Sequence, residues 1–266
     1  MTWIVGTAQS FGKAIVASDV QVTFQSAAGP KKYNDCVQKI YPLGNSFLGG
    51  FAGSVKIGFR LLSQLIYESS KLTPDRAWGL DVIANTWWPR VAKRIFEKSE
   101  TIEKQCGSEI ILAAAHPTKN RGNVSGWAWT DVYIFKSPNF NPIKVEDLKC
   151  GGIGSGSQIS VLSNMVQSAV SDFSFIKMVT MGELAQSRFL ADLMHQQLRT
   201  SPVPGISDLF QVGTITRGQV IIQNHELTYV DESGETQVRF PKLAQNYKEF
   251  LEFCSQTNIS ASAAIC

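Results

Sequence analysis

The chain has 266 residues, 44% of them hydrophobic, and a net charge of +3 from 25 basic and 22 acidic side chains. That length and content suffice for a sizeable core in a single domain spanning 1–266, and the balanced charge gives no footprint for nucleic acid. Cys36, Cys106, Cys150, Cys254 and Cys266 are odd in number and widely spaced, and His116, His195 and His225 form no metal-spacing motif, which argues against a disulfide scaffold or a metal site.

Read in chain order, the first 55 or so residues are strand-like. Trp3-Ile4-Val5-Gly6-Thr7 is short and β-rich, and Ala14-Ile15-Val16-Ala17 follows a turn at Ser10-Phe11-Gly12. Val20, Val22 and Phe24 alternate with Gln21, Thr23 and Gln25, the period-two pattern of a half-buried strand. A loop over 26–35 carries Gly29-Pro30 and then Lys31-Lys32, which reads as a solvated turn because no aromatic platform is interleaved with the charges. Val37 to Tyr41 and Ser46 to Phe51 are the next strands, the second ending in the turn Gly49-Gly50-Phe51-Ala52-Gly53.

Periodicity then changes. Ile57, Leu61, Leu62, Leu65 and Ile66 make one apolar helix face, and Thr73-Pro74 opens a second helix with Leu80, Ile83, Ala84, Trp87, Val91 and Ile95 on its apolar side. Trp87 and Trp88 read as core packing. Strands return at 109–113 and 127–135, separated by a polar turn over 116–125. After the glycine-rich stretch 151–157, helices are expected over 159–171 and 182–200, strands over 211–215 and 220–230, and a last helix over 242–255. Helices therefore arrive in consecutive pairs, which excludes an alternating parallel α/β sheet. The expectation is an α+β, four-layer αββα sandwich of two mainly antiparallel sheets flanked by helix pairs. No apolar run of about 18 residues and no charged-then-apolar leader occurs, so a cytoplasmic protein without membrane contact is expected.

The chemistry-bearing residues begin at Thr2. Met1 before a small residue is the kind of start that aminopeptidases trim, and its removal would put a hydroxyl and a free α-amine on Thr2. A hydroxyl needs an adjacent base, and a terminal amine with a pKa of about 7.7–8.0 can supply one. If Met1 stays, that base is absent. Asp19 ends an apolar strand and Lys39 sits among Val37 and Ile40; an ammonium beside the Thr2 hydroxyl would favour its alkoxide, and a carboxylate would hold the ammonium in place. Glycines in the 49–53 turn let a backbone N–H approach a developing oxyanion. Gly152-Ile153-Gly154-Ser155-Gly156-Ser157 is no phosphate loop, since it is not G-x-G-x-x-G, lacks a Lys-Ser/Thr pair and stands outside a βαβ unit.

These motifs in this order resemble the β-type subunits of the proteasome, closest to the bacterial proteasome homologues. The likeness rests on Thr2-Trp3-Ile4-Val5-Gly6, Ala17-Ser18-Asp19-Val20-Gln21-Val22-Thr23, Val37-Gln38-Lys39-Ile40, Gly50-Phe51-Ala52-Gly53 and Gly152-Ile153-Gly154-Ser155-Gly156, and spans roughly 2–225. It implies an N-terminal nucleophile hydrolase fold and a threonine peptidase acting through an acyl-enzyme. Thr2 would be the nucleophile, Asp19 and Lys39 its tuning pair, Ser155 the serine at the terminal amine and Gly50 the oxyanion donor. Thr23 would align the substrate backbone as an added strand, and Val22, Val37, Leu48 and Ala52 would line an apolar first specificity pocket. The resemblance further implies no metal or organic cofactor, self-association into stacked rings, peptide or unfolded-protein substrates, and room for an ATP-dependent unfoldase as partner.

Three departures from the family pattern stand out. The segment between Asp19 and Lys39 is longer than in those relatives. The family's further active-site Asp has no match around Arg199-Thr200-Ser201, where Pro202, Val203 and Pro204 separate the helix from Asp208. A C-terminal extension begins at about 237, placed to cover a ring surface. Two other readings stay open: a non-catalytic ring or scaffold subunit, and an amidohydrolase of the same nucleophile class acting on a small molecule.

Overall fold

The computed structural model describes residues 2–9, 12–24, 30–70, 79–120, 127–172, 184–225, 227–230 and 233–265. One five-stranded sheet joins β10 (Cys150–Ile153), β1 (Ile4–Ala8), β2 (Ala14–Asp19), β11 (Phe210–Thr216) and β12 (Gln219–His225) in that order, every pair antiparallel. A second sheet has the order β5 (Ile40–Gly44), β6 (Phe47–Gly53), β7 (Ser108–Asn120), β8 (Ala128–Lys136) and β9 (Ile143–Lys144), also antiparallel throughout. A small sheet places β3 (Gln21–Phe24) between β4 (Lys32–Asp35) and β15 (Ala264–Ile265), and β13 (Leu227–Val230) pairs with β14 (Thr236–Arg239). The fold is thus a mixture of helices with several antiparallel sheets.

Three clusters of buried side chains hold these elements together, and strand alternation decides which residue joins which. On β1, Ile4 and Ala8 point into a core shared with Ile40, Leu48, Ile111, Val132 and Ile134 of the other sheet. Trp3 and Val5 point the opposite way, against Leu162 and Val166 of α5 (Ser160–Ser171) and Leu190, Met194 and Leu198 of α6 (Ala185–Thr200). The far face of the second sheet, with Phe51, Ile110, Leu112, Tyr133 and Phe135, packs against α1 (Val55–Ser70), α2 (Leu80–Thr86), α3 (Trp88–Glu97) and α7 (Tyr247–Gln256). Among the described residues, no helix is long and apolar enough to cross a membrane.

Several elements differ from the sequence expectation. The proposed start of the second helix at Thr73-Pro74 lies outside the described residues, as do 10–11, 25–29, 121–126 and 182–183. The stretch from Leu80 to Ile95 is two helices, broken at Trp87, because Pro89 in the first turn of α3 has no N–H to give to a continuing helix. That break lets Trp88 turn fully into the core, edge-on to Phe135 at 6.5 Å. A short α4 (Thr101–Gln105) with a reciprocal Glu100–Glu103 capping box was not anticipated. Residues 32–35 form a strand where a loop was expected, and 219–230 is two strands, β12 and β13. The last helix starts at 247, where the Asn246 side chain accepts from the Glu249 amide at 3.0 Å.

The tail from about 237, expected to face a ring neighbour, folds back on its own chain: Phe250 and Cys254 join the helix-side core, and Ala244 bridges to Val37. Trp88 tests the helix-side packing. Its Nε1 is buried without a hydrogen-bond partner, so Trp88→Phe is expected to cost under about 1.5 kcal/mol while Trp88→Ala costs about 3–5 kcal/mol in denaturant unfolding. Equal losses for the two would contradict that packing.

Candidate active site

Thr2 is clamped at its backbone by the turn that follows β10. Its carbonyl accepts from the Gly156 amide at 2.9 Å, and its own N–H donates to Ser155 Oγ at 3.3 Å. Residues 155–158 form a single 3₁₀ turn directly after β10, and β10 pairs with β1 at Ile4↔Ile153. Gly154 makes the approach possible. Its φ of 79° and ψ of 171° lie in a region essentially confined to glycine, and a Cβ there would run into the Thr2 carbonyl. The Gly154 amide is held by Glu109 Oε2 at 2.7 Å.

The other side of Thr2 meets Lys39. Lys39 Nζ stands 3.0 Å from Thr2 Oγ1, 3.0 and 3.1 Å from the two Asp19 carboxylate oxygens, and 2.5 Å from the Gln21 carbonyl. Thr2, Asp19 and Lys39 are respectively 0, 0 and 1% exposed. Three ammonium protons are therefore shared among three partners, so none is left for water. Asp19 is fixed independently by the backbone: its oxygens accept from the Trp3 amide at 2.8 Å and the Gln21 amide at 3.2 Å, and its own amide donates to the Trp3 carbonyl. A wholly buried ion pair of this kind costs desolvation that its attraction only partly offsets, so it is not explained by stability alone. With its oxygen accepting from Lys39, the Thr2 hydroxyl keeps its own proton to give, and the ammonium lowers the energy of the alkoxide that remains.

Of the residues expected at the site, the structure brings Thr2, Asp19, Lys39 and Ser155 together. Gly50 is placed differently. The Phe51 amide donates to the Lys39 carbonyl on the β5 side, and the Ser54 amide donates to Gly107 on the β7 side. An antiparallel strand alternates the edge its amides face, so even-numbered amides of β6 face β7 and Gly50 points at its partner Ile111. Gly53 lies on the same edge as Phe51 and past the end of β5; its φ of 90° and a Cβ clash with the Gly107 carbonyl require glycine there.

The four expected pocket residues are fully buried in two separate cores. Val22 and Val37 lie in the helix-side cluster, and Leu48 and Ala52 in the inter-sheet cluster, because even positions on β6 face the other sheet. Thr23 is on β3, opposite Tyr33 of β4. Asp208, the nearest sequence candidate for a further Asp, instead gives its carbonyl to His195 Nδ1 at 2.7 Å.

Some of the site was not anticipated. The Gln21 carbonyl is a main-chain group and leaves no mark in sequence. Glu109 does: it is a charge directly before the apolar run Ile110 to Ala115. Asp35 sits nearby, its pKa pushed up by burial while hydrogen bonds from Ser207 and Gln21 pull it down. Among the described residues, no three His, Cys, Asp or Glu side chains gather in a metal-binding group.

The chain matches no protein-family model and no curated protein sequence. The asymmetry of the ion pair gives a prediction. Asp19→Ala leaves a buried ammonium without a counter-charge and is expected to cost about 3–5 kcal/mol in denaturant unfolding. Lys39→Met leaves Asp19 with its two backbone donors and is expected to cost about 1–2 kcal/mol less. The reverse order would show that the backbone donors do not hold Asp19.

Proposed function

We propose that the chain is a threonine peptidase of the N-terminal nucleophile class, a subunit of a proteasome-like ring that encloses its own active sites. The observation that carries this reading is Lys39 Nζ at 3.0 Å from Thr2 Oγ1, with Asp19 behind the lysine. Two sheets sharing one core, with helices on both outer faces, support the αββα sandwich of such hydrolases.

Catalysis begins once the peptide bond before Thr2 is cut. The freed α-amine, beside Ser155 Oγ, takes the hydroxyl proton as Thr2 Oγ attacks a substrate carbonyl. Lys39 would stabilise the developing alkoxide, and the Gly53 amide, on the β5 edge of β6 past the end of β5, is our assignment for the oxyanion donor in place of Gly50. The amine then protonates the leaving nitrogen, an acyl-enzyme forms, and a water activated by the same amine resolves it. The substrate backbone adds beside Thr23 as a strand. No step calls for a metal or organic cofactor. Substrates would be peptides or unfolded proteins in the cytoplasm, delivered with or without an ATP-dependent unfoldase. A scaffold subunit would have no need of a buried lysine at a threonine hydroxyl, which weighs against that reading.

Intact mass spectrometry before and after a threonine-directed electrophile tests the assignment. The expected result is a chain beginning at Thr2 that gains one adduct and loses it in Thr2→Ala. A chain with Thr2 first that neither labels nor cleaves peptides would overturn it. Because the amine must be neutral to accept a proton, the rate is expected to rise through about pH 7–8 and be lost below it; a flat profile from pH 5 to 9 would rule out the amine as base. Light scattering tests the ring, and a stable monomer contradicts it.

A further inference from the structure

A strand has two edges, and both edges of β3 are occupied by this chain. Gln21 to Phe24 pair with Lys32 to Asp35 of β4 on one side. On the other, Ala264 lies opposite Phe24 and Ile265 opposite Thr23. The β4 edge is closed by a four-residue ladder, so the edge left for a peptide adding at Thr23 is the one β15 takes. The geometry points to the segment from Asn258 to Ile265 as an internal, displaceable occupant of the substrate groove. It is an autoinhibitory strap that a peptide must push aside. This inference rests on the peptidase reading for the identity of the groove.

Direction and surroundings agree with that role. β15 runs antiparallel to β3, so its C-terminal end stands at Thr23, the side nearer Gln21, whose carbonyl Lys39 holds. The strap also lies at the Gly53 end of β6: Ala264 shares a cleft with Ser54, Val55, Cys106 and Phe250, and the Cys106 thiol approaches the Ala264 carbonyl at 3.9 Å. Its anchor is firm, Ile259, Ala261 and Ala264 rest against the helix-side core, and its ladder to β3 is short. Helix α7 is pinned by Phe250 and Cys254 in the core and ends at Gln256; two residues on, Asn258 with a φ of 54° turns the chain away from the helix axis. Beyond that turn come one 3₁₀ turn over Ala261–Ala263 and a ladder of only two residues. A ladder that short adds little stability, so its release leaves every larger sheet intact.

The test needs no catalysis. A fluorescent peptide with the sequence of residues 259–265 is titrated into the full chain, a variant lacking 259–266, and a full-length Ala264→Asp variant, which puts a carboxylate against the apolar wall and serves if the deletion does not fold. A tethered segment competes at an effective concentration of about millimolar, so the peptide is expected to bind both variants at least about ten-fold more tightly than the intact chain. Equal binding to all three, or binding to none, would overturn the strap. Electrophile labelling of Thr2 in the same samples separates the two ideas. Labelling in every form with equal peptide binding leaves the peptidase standing without a strap. Peptide binding confined to the variants, with Thr2 unlabelled throughout, leaves an occupied groove without a peptidase.

Discussion

An ammonium group buried away from water is the constraint around which this fold is arranged. Lys39 has no solvent to satisfy its three protons, so the protein must bring three acceptors to one point: the Asp19 carboxylate, the Gln21 carbonyl and the Thr2 hydroxyl. Those acceptors come from the end of β2, the start of β3 and Thr2, two residues before β1. Asp19 and Gln21 are held by strand ladders and Thr2 by the 3₁₀ turn after β10, which keeps the cluster compact although Thr2 and Lys39 are 37 positions apart in sequence. Replacing such a pair by apolar side chains of similar size is often neutral or stabilising in proteins, so its presence points to chemistry at Thr2.

The rest of the site follows from that arrangement. Asp19 accepts from Trp3 and so fixes β1 against β2; Trp3 in turn is edge-on to Phe210 in the core beneath α5 and α6. Gly154 and Gly156 bring the 3₁₀ turn against Thr2 from the opposite side, where Ser155 meets the nitrogen that cleavage would free. Thr2 is thus fixed at its nitrogen, its carbonyl and its hydroxyl. A rigid nucleophile suits a reaction in which the attacking atom must be placed to a fraction of an ångström. Thr2 is fully buried, and under the proposed reading the segment that would have to move is β15, a two-residue ladder on β3.

The sequence discloses side-chain chemistry and periodicity well and ladder geometry poorly. α1 and α5 were legible because their apolar residues recur at helical spacing, and Thr2, Asp19, Lys39 and Ser155 were legible because their residue types form a chemical set. The helix break at Trp87 depended on how strongly Pro89 competes with an otherwise continuous stripe. Gly50 and Gly53 look alike in the run Gly49 to Gly53; only the donor pattern of Phe51 and Ser54 tells which amide faces which edge. Val22, Val37, Leu48 and Ala52 are apolar whether they line a pocket or fill a core, and in this chain all four are buried. Ala264-Ile265 carries no strand signal, because two residues cannot show a period.

The central claim is that Lys39 activates Thr2 rather than merely packing beneath it. The measurement that tests it most directly is the second-order rate constant for electrophile labelling of Thr2, compared between the native chain and a folded Lys39→Met variant, both beginning at Thr2. Loss of the ammonium is predicted to slow labelling by about 10²-fold or more. Equal rate constants in the two proteins, with the fold intact by circular dichroism, would contradict the account.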